Sequence, residues 1–240
     1  MYVLPGDGRD RQLDMNGTLA NTVGSFQAWL ARQTGGRRLN VDTYQGALDI
    51  TFVRLGRTDA VMKSYGAYVR DTIEKDLTQA GLISAQKLYA VYYDGGSNHS
   101  CGGGAWPPAL RGKVAAMYLR GTPPGAPACS TNSVAASPRS PPGYFELSML
   151  HELLHTLGYV AANAPREHAN GHVPEPNDLM YAGPGPWRTP NLVLDVGRDD
   201  YYGGSVPAGV PNLATSPFLL PAPAPRLSPR PSTAADHPSR

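Results

Sequence analysis

No stretch of this 240-residue chain is apolar for the ~18–20 residues a helix needs to cross a bilayer. The opening residues, MYVLPGDGRDRQLD, lack the basic and then apolar segments of a secretory signal peptide. Charge is sparse: Asp, Glu, Lys and Arg make up 17% of the residues and leave a net charge of +2. They form no basic block or stripe, which argues against nucleic acid and anionic membrane as partners. Cysteine is scarce as well. Cys101 and Cys129 stand in no CxxC pair and no Cys/His cluster, so a structural zinc site built on them is not expected. Both lie in Gly/Pro-rich segments, NHSCGGG and GAPACST, and we expect them to pair; two free thiols are the alternative. Such a disulfide contributes about 3 kcal/mol on chain-entropy grounds. It points to an oxidising compartment, hence to a secreted protein whose export signal is not present in this chain.

What the chain has in quantity is glycine and proline, 27 and 24 residues, with 41% hydrophobic residues for one core. Residues 205–240 hold nine prolines and one aromatic, Phe218, and read as a Pro-rich disordered tail behind a domain of residues 1–204. Within that domain MYVLP is a short strand. Leu19, Val23, Phe26, Trp29 and Leu30 recur at helical spacing over residues 18–33, and Gly35-Gly36 stops them. Alternation in RRLNVDTYQGALDITFVRL predicts two strands around Gln45-Gly46. A helix is predicted over 58–80, with Asp59 as cap and Gly81 at its end. KLYAVYYDGG and KVAAMYLRG are strands, and the Gly-rich loop between them lacks the GK[ST] of a phosphate loop. The order of elements suits an α+β or α/β layer.

The last predicted helix, 144–157, carries the chemistry. Phe145, Met149, Leu150, Leu153, Leu154 and Leu157 give it an apolar stripe, and Gly158 closes it. Ser148, His151, His155 and Gly158 share another face. The two histidines stand about 40° apart around the axis and ~6 Å along it, so both rings reach one metal ion. Buried imidazoles need partners, and zinc is a good one. Glu152 lies about 100° round from His151, beside such an ion rather than on it, where a carboxylate takes a proton from water held by the metal. A third ligand must come from elsewhere. His172 follows Gly171, which permits an unusual turn, and is preferred; His168 in REHAN and Asp178 are the other candidates. His99 reads as a surface residue. Asp195, Asp199 and Asp200 are within reach as acceptors for imidazole N–H groups, although a solvated acidic turn is the plainer reading.

The segment HELLHTLG resembles the zincin metalloproteases, and its HExxHxxG form resembles the metzincin branch. The third histidine of that pattern would fall at position 161, where this chain has Ala161. DLMY, further on, looks like a metzincin Met-turn, with Met180 beneath the metal-binding histidines. The resemblance covers residues 144–182. It implies a zincin-like α+β fold: a mixed twisted sheet, two packed helices, an active-site helix and a loop-rich C-terminal part. It further implies a zinc-dependent metalloendopeptidase acting on peptide or protein substrates, with a strand edge, here residues 87–93, that pairs with the extended substrate. The protein is expected to work as a monomer. The rival reading is a zinc-binding adhesion or interaction module on the same scaffold, without peptidase activity. Glu152 separates the two, because ligands alone suffice to bind metal.

Overall fold

In the computed structural model, which describes residues 1–131, 137, 139–183, 186–188 and 191–222, strand alternation sorts side chains into two cores. Along the chain the elements are β1 (Tyr2–Leu4), α1 (Thr18–Gln33), β2 (Arg38–Leu39), β3 (Thr43–Tyr44), β4 (Ala47–Leu48), β5 (Phe52–Arg54), α2 (Asp59–Lys63), α3 (Val69–Gln79), β6 (Tyr89–Tyr93), β7 (Gly102–Gly103), β8 (Val114–Tyr118), α4 (Tyr144–Thr156) and β9 (Leu219–Leu220). The main sheet has the order β5-β1-β6-β8-β7. Its first four strands are parallel, and β7 runs antiparallel along the edge of β8. Tyr2, Leu4, Tyr92, Ala115 and Met117 face the core under α1 and α4. Val3, Val91, Tyr93, Val114, Ala116 and Tyr118 face the other way, against Val69, Ile73 and Leu77 of α3. Every residue of β8 is therefore buried, as a strand covered on both faces requires.

The connections follow from one handedness. From β1 the chain crosses by α1 to β5 on one side, then returns by α3 past β1 to β6. Reversing direction along the sheet while keeping a right-handed crossover moves the helix to the opposite face, which is where α3 lies. The sheet is mixed, as expected, and its helices cover both faces.

Local differences from the sequence reading have local causes. The strands around Gln45-Gly46 are only the two-residue arms of a hairpin, β3 and β4. Gln45 and Gly46 both take positive φ, 50° and 82°, as such a tight turn demands. The single helix expected over 58–80 is broken: Gly66, at φ 57°, turns the chain between α2 and α3. Thr58, not Asp59, caps α2, its hydroxyl accepting from Val61 N. Asp59 instead accepts from Gly96 N and pairs with Lys63.

The largest correction is at the C-terminus. Ordered packing continues past residue 204: β9 pairs with β2, Asn40 N donates to the Phe218 carbonyl, and Leu213 and Leu219 are buried. Proline spacing hid isolated apolar residues that a 3-10 turn and a two-residue strand need no periodicity to bury. The remainder of the expected tail, 223–240, lies outside the described residues. Cys101 and Cys129 form a disulfide with Cα atoms 5.5 Å apart. Among the described residues no helix is long and apolar enough to cross a membrane.

Candidate metal centre

Helix α4 brings His151 and His155 onto one face, and its end sets the orientation of the second. Gly158, at φ 93°, occupies the left-handed position just past the helix. Its N–H bonds the His155 carbonyl, and Tyr159 N–H bonds the Leu154 carbonyl, the paired closure of a Schellman end. The chain then turns so that the Tyr159 carbonyl accepts from His155 Nδ1 at 3.1 Å. His151 Nδ1 donates to the Leu179 carbonyl at 2.7 Å. The third ring comes from the following loop. Gly171 takes φ 84° and packs so tightly on Trp106 that a Cβ would lie 2.5 Å from the indole nitrogen. That turn directs His172 back toward α4, and its Nδ1 donates to the Ala169 carbonyl at 2.7 Å.

The three Nε2 atoms converge. His151 and His155 are 3.0 Å apart, His155 and His172 3.0 Å, and His151 and His172 3.2 Å. Carbonyl oxygens can only accept, so each Nδ1 carries its ring's proton and each Nε2 presents a lone pair. Three lone pairs at this separation repel one another unless a cation lies between them. Tetrahedral ligation with Zn–N of about 2.0–2.1 Å spaces such nitrogens about 3.3 Å apart, so the donor set fits zinc. Burial pushes the His151 pKa down to about 3, with His172 adding to the effect, and lowers His155 and His172 as well. All three are neutral near pH 7, the form that binds metal.

Glu152 and His155 lie along a cleft of about 490 Å³ with Arg70, His99, Trp106, Tyr118 and His172 among its other walls. In the metal-free site burial raises the Glu152 pKa to about 8 against the opposing pull of the Gly104 backbone and Arg70, and a cation on the three histidines would lower it again. Its neighbours across the cleft are Gly102 of β7 and Gly104 just after that strand. A Cβ on Gly102 would stand 2.9 Å from Glu152 Oε1, and one on Gly104 would stand 2.5 Å from the Glu152 carbonyl. The strand edge beside the centre is thus β7. Strand β6, within the segment expected to offer that edge, lies inside the sheet between β1 and β8.

The other sequence candidates fall elsewhere. His168 is exposed, its N–H bonded to the His172 carbonyl. Asp178 is buried on the turn before Met180, held by backbone and hydroxyl donors. His99 is exposed at the cleft rim. Met180 is buried in the core that α4 shares. Asp195, Asp199 and Asp200 do not orient the histidines; main-chain carbonyls do that. The three carboxylates gather instead around Arg166, which bonds Asp199 at 2.6 Å and Asp200 at 2.8 Å. Sequence reasoning missed Trp187, whose ring lies 5.7 Å from that of His151, and Trp106, whose Nε1 donates to the Val160 carbonyl. Neither sits in a pattern that would have marked it.

Fold and centre together define a mixed-sheet α/β domain carrying a three-histidine group able to hold a divalent metal ion. No family model matches the chain, and no curated protein matches it. Among solved structures it is similar to an archaemetzincin from Methanopyrus kandleri, at 16% identity and a TM-score of 0.41, over 80% of this chain and 84% of that one. A likeness of that size assigns no activity to the chain.

Proposed function

We propose that the protein is a zinc metallopeptidase that hydrolyses peptide bonds, with His151, His155 and His172 as ligands and Glu152 as general base. The observation that carries this reading is the convergence of three Nε2 atoms within 3.0–3.2 Å, each ring's other nitrogen being committed to a carbonyl. A zinc ion held by His151, His155 and His172 would acidify water and polarise the scissile carbonyl. Glu152, beside the ligands and facing the cleft, takes a proton from the attacking water and passes it to the leaving amine. The free edge of β7 is where an extended substrate adds as a further strand. Every ligand comes from one chain, so a monomer suffices. The Cys101–Cys129 disulfide supports secretion. A metal-binding module without hydrolysis would have no use for Glu152 in the cleft.

Metal analysis of the purified protein tests the reading. We expect about one zinc per chain, lost in His151→Ala and His172→Ala and kept in His168→Ala. Retention in His172→Ala removes the third ligand from the scheme. Glu152→Ala should keep its zinc and lose hydrolysis of a denatured protein substrate. Undiminished hydrolysis there removes the general base.

A further inference from the structure

Asp178 is fully buried, and its three hydrogen-bond donors are all neutral. Its Oδ1 accepts from Met180 N at 2.7 Å and from the Tyr201 hydroxyl at 2.8 Å, and its Oδ2 accepts from Val196 N at 2.7 Å. Only an acceptor-only side chain satisfies donors on both oxygens. The turn gathered in this way touches two of the three histidine segments. Leu179, the next residue, gives its carbonyl to His151 Nδ1. The Met180 carbonyl accepts from Val173 N at 3.0 Å, and Ala182 N donates back to the Val173 carbonyl, directly after His172. The donors on the far side are fixed in turn. Asp195 Oδ2 accepts from the N–H groups of Asp200, Tyr201 and Tyr202, which seats Tyr201. Arg166, from the loop that leads to His172, grips Asp199 and Asp200. His155 stands outside this arrangement, because the end of its own helix orients it.

We propose that Asp178 is a positioning residue for the metal centre: its carboxylate fixes the 178–182 turn so that the Leu179 carbonyl holds the His151 ring toward the ion. The inference rests on the three-histidine zinc reading. Asp178→Asn keeps the size of the side chain but sets an amide N–H against one of the existing donors. Misplacing the turn weakens one ligand selectively. A general loss of stability would not distinguish between the histidines.

The test uses full-length, zinc-loaded protein labelled with ¹⁵N-histidine, with the ring N–H signals read by NMR and zinc affinity read by chelator competition. In Asp178→Asn the His151 Nδ1–H signal should move upfield and exchange faster with water, while the His155 signal stays in place. Zinc affinity should fall about 10-fold, the lower end for loss of a group that orients a ligand. Tyr201→Phe, which removes one donor and keeps the carboxylate, should shift the same signal less. Equal shifts at His151 and His155, or wild-type affinity with an unmoved His151 signal, overturn the proposal. If Asp178→Asn does not fold, Tyr201→Phe decides, and wild-type behaviour there overturns it. Wild-type protein that takes up no zinc sinks the metal reading and this inference together. Wild type that binds zinc beside an indifferent Asp178→Asn sinks the inference alone.

Discussion

Glu152 and the three histidines place opposite demands on pH. Burial raises the Glu152 pKa from 4.5 to about 8, so in the metal-free protein the native state holds a proton that the unfolded chain gives up between those values. Its contribution is complete below pH 4.5 and is lost as pH rises through 8. Glu152→Gln cannot ionise, so metal-free Glu152→Gln should match wild type near pH 4.5 and be more stable near pH 8. Urea midpoints at the two pH values check this, and a constant difference would refute it. The histidines work the other way. With the His151 pKa lowered to about 3, the unfolded chain gains protons below pH 6.5 that the native state refuses. Acid release of zinc should therefore coincide with loss of structure. Zinc release and near-UV circular dichroism, followed on one acid titration, should share a midpoint.

At the scale of elements, β7 and Gly104 just after it lie against α4 because they have no side chains to keep them away. A Cβ on Gly104 would meet the Glu152 carbonyl at 2.5 Å, and helix backbone cannot yield. On Gly102 it would meet the end of the Glu152 side chain and Met117 Sδ, both at 2.9 Å, which can. On Gly103 it would meet only the Tyr118 hydroxyl at 3.2 Å and Arg70 Cβ at 3.8 Å. Alanine substitutions should thus reduce kcat/KM in the order 104, then 102, then 103, the first by tenfold or more, since small misplacements near the chemistry are costly. An equal response at all three positions would show that close packing on Glu152 is not what the glycines provide. The sequence offered no sign of this. A glycine run reads as a loop, and its use as a bare strand depends on a helix some fifty residues away. His151 and His155 were legible because four residues make one turn. His172 could be read because glycine before it permits the turn it needs. The acceptors that orient the rings were not legible. They are the carbonyls of Leu179, Tyr159 and Ala169, and any residue type could have supplied them.

Across the whole molecule the chain is fastened at two further places. The Cys101–Cys129 disulfide ties the start of β7 to the segment after β8. Replacing both cysteines with serine should cost about 3 kcal/mol by the loop-closure argument. The second fastening is β9 on β2, which carries Leu213 and Leu219 into the core shared by α1 and α4. Apolar periodicity revealed the main strands and helices but not this closure, because its burial rests on single residues between prolines. A chain ended after residue 204 leaves both leucine sites empty and exposes Leu39, itself buried. Losing a buried leucine costs about 2–5 kcal/mol, so two approach the whole stability of an ordinary domain. A chain ended after residue 222 retains every one of these contacts. Thermal unfolding should then leave the longer truncation at the wild-type Tm and find the shorter one unfolded or many degrees lower. Equal Tm values for the two truncations would mean that the C-terminal strand is carried by the domain without supporting it.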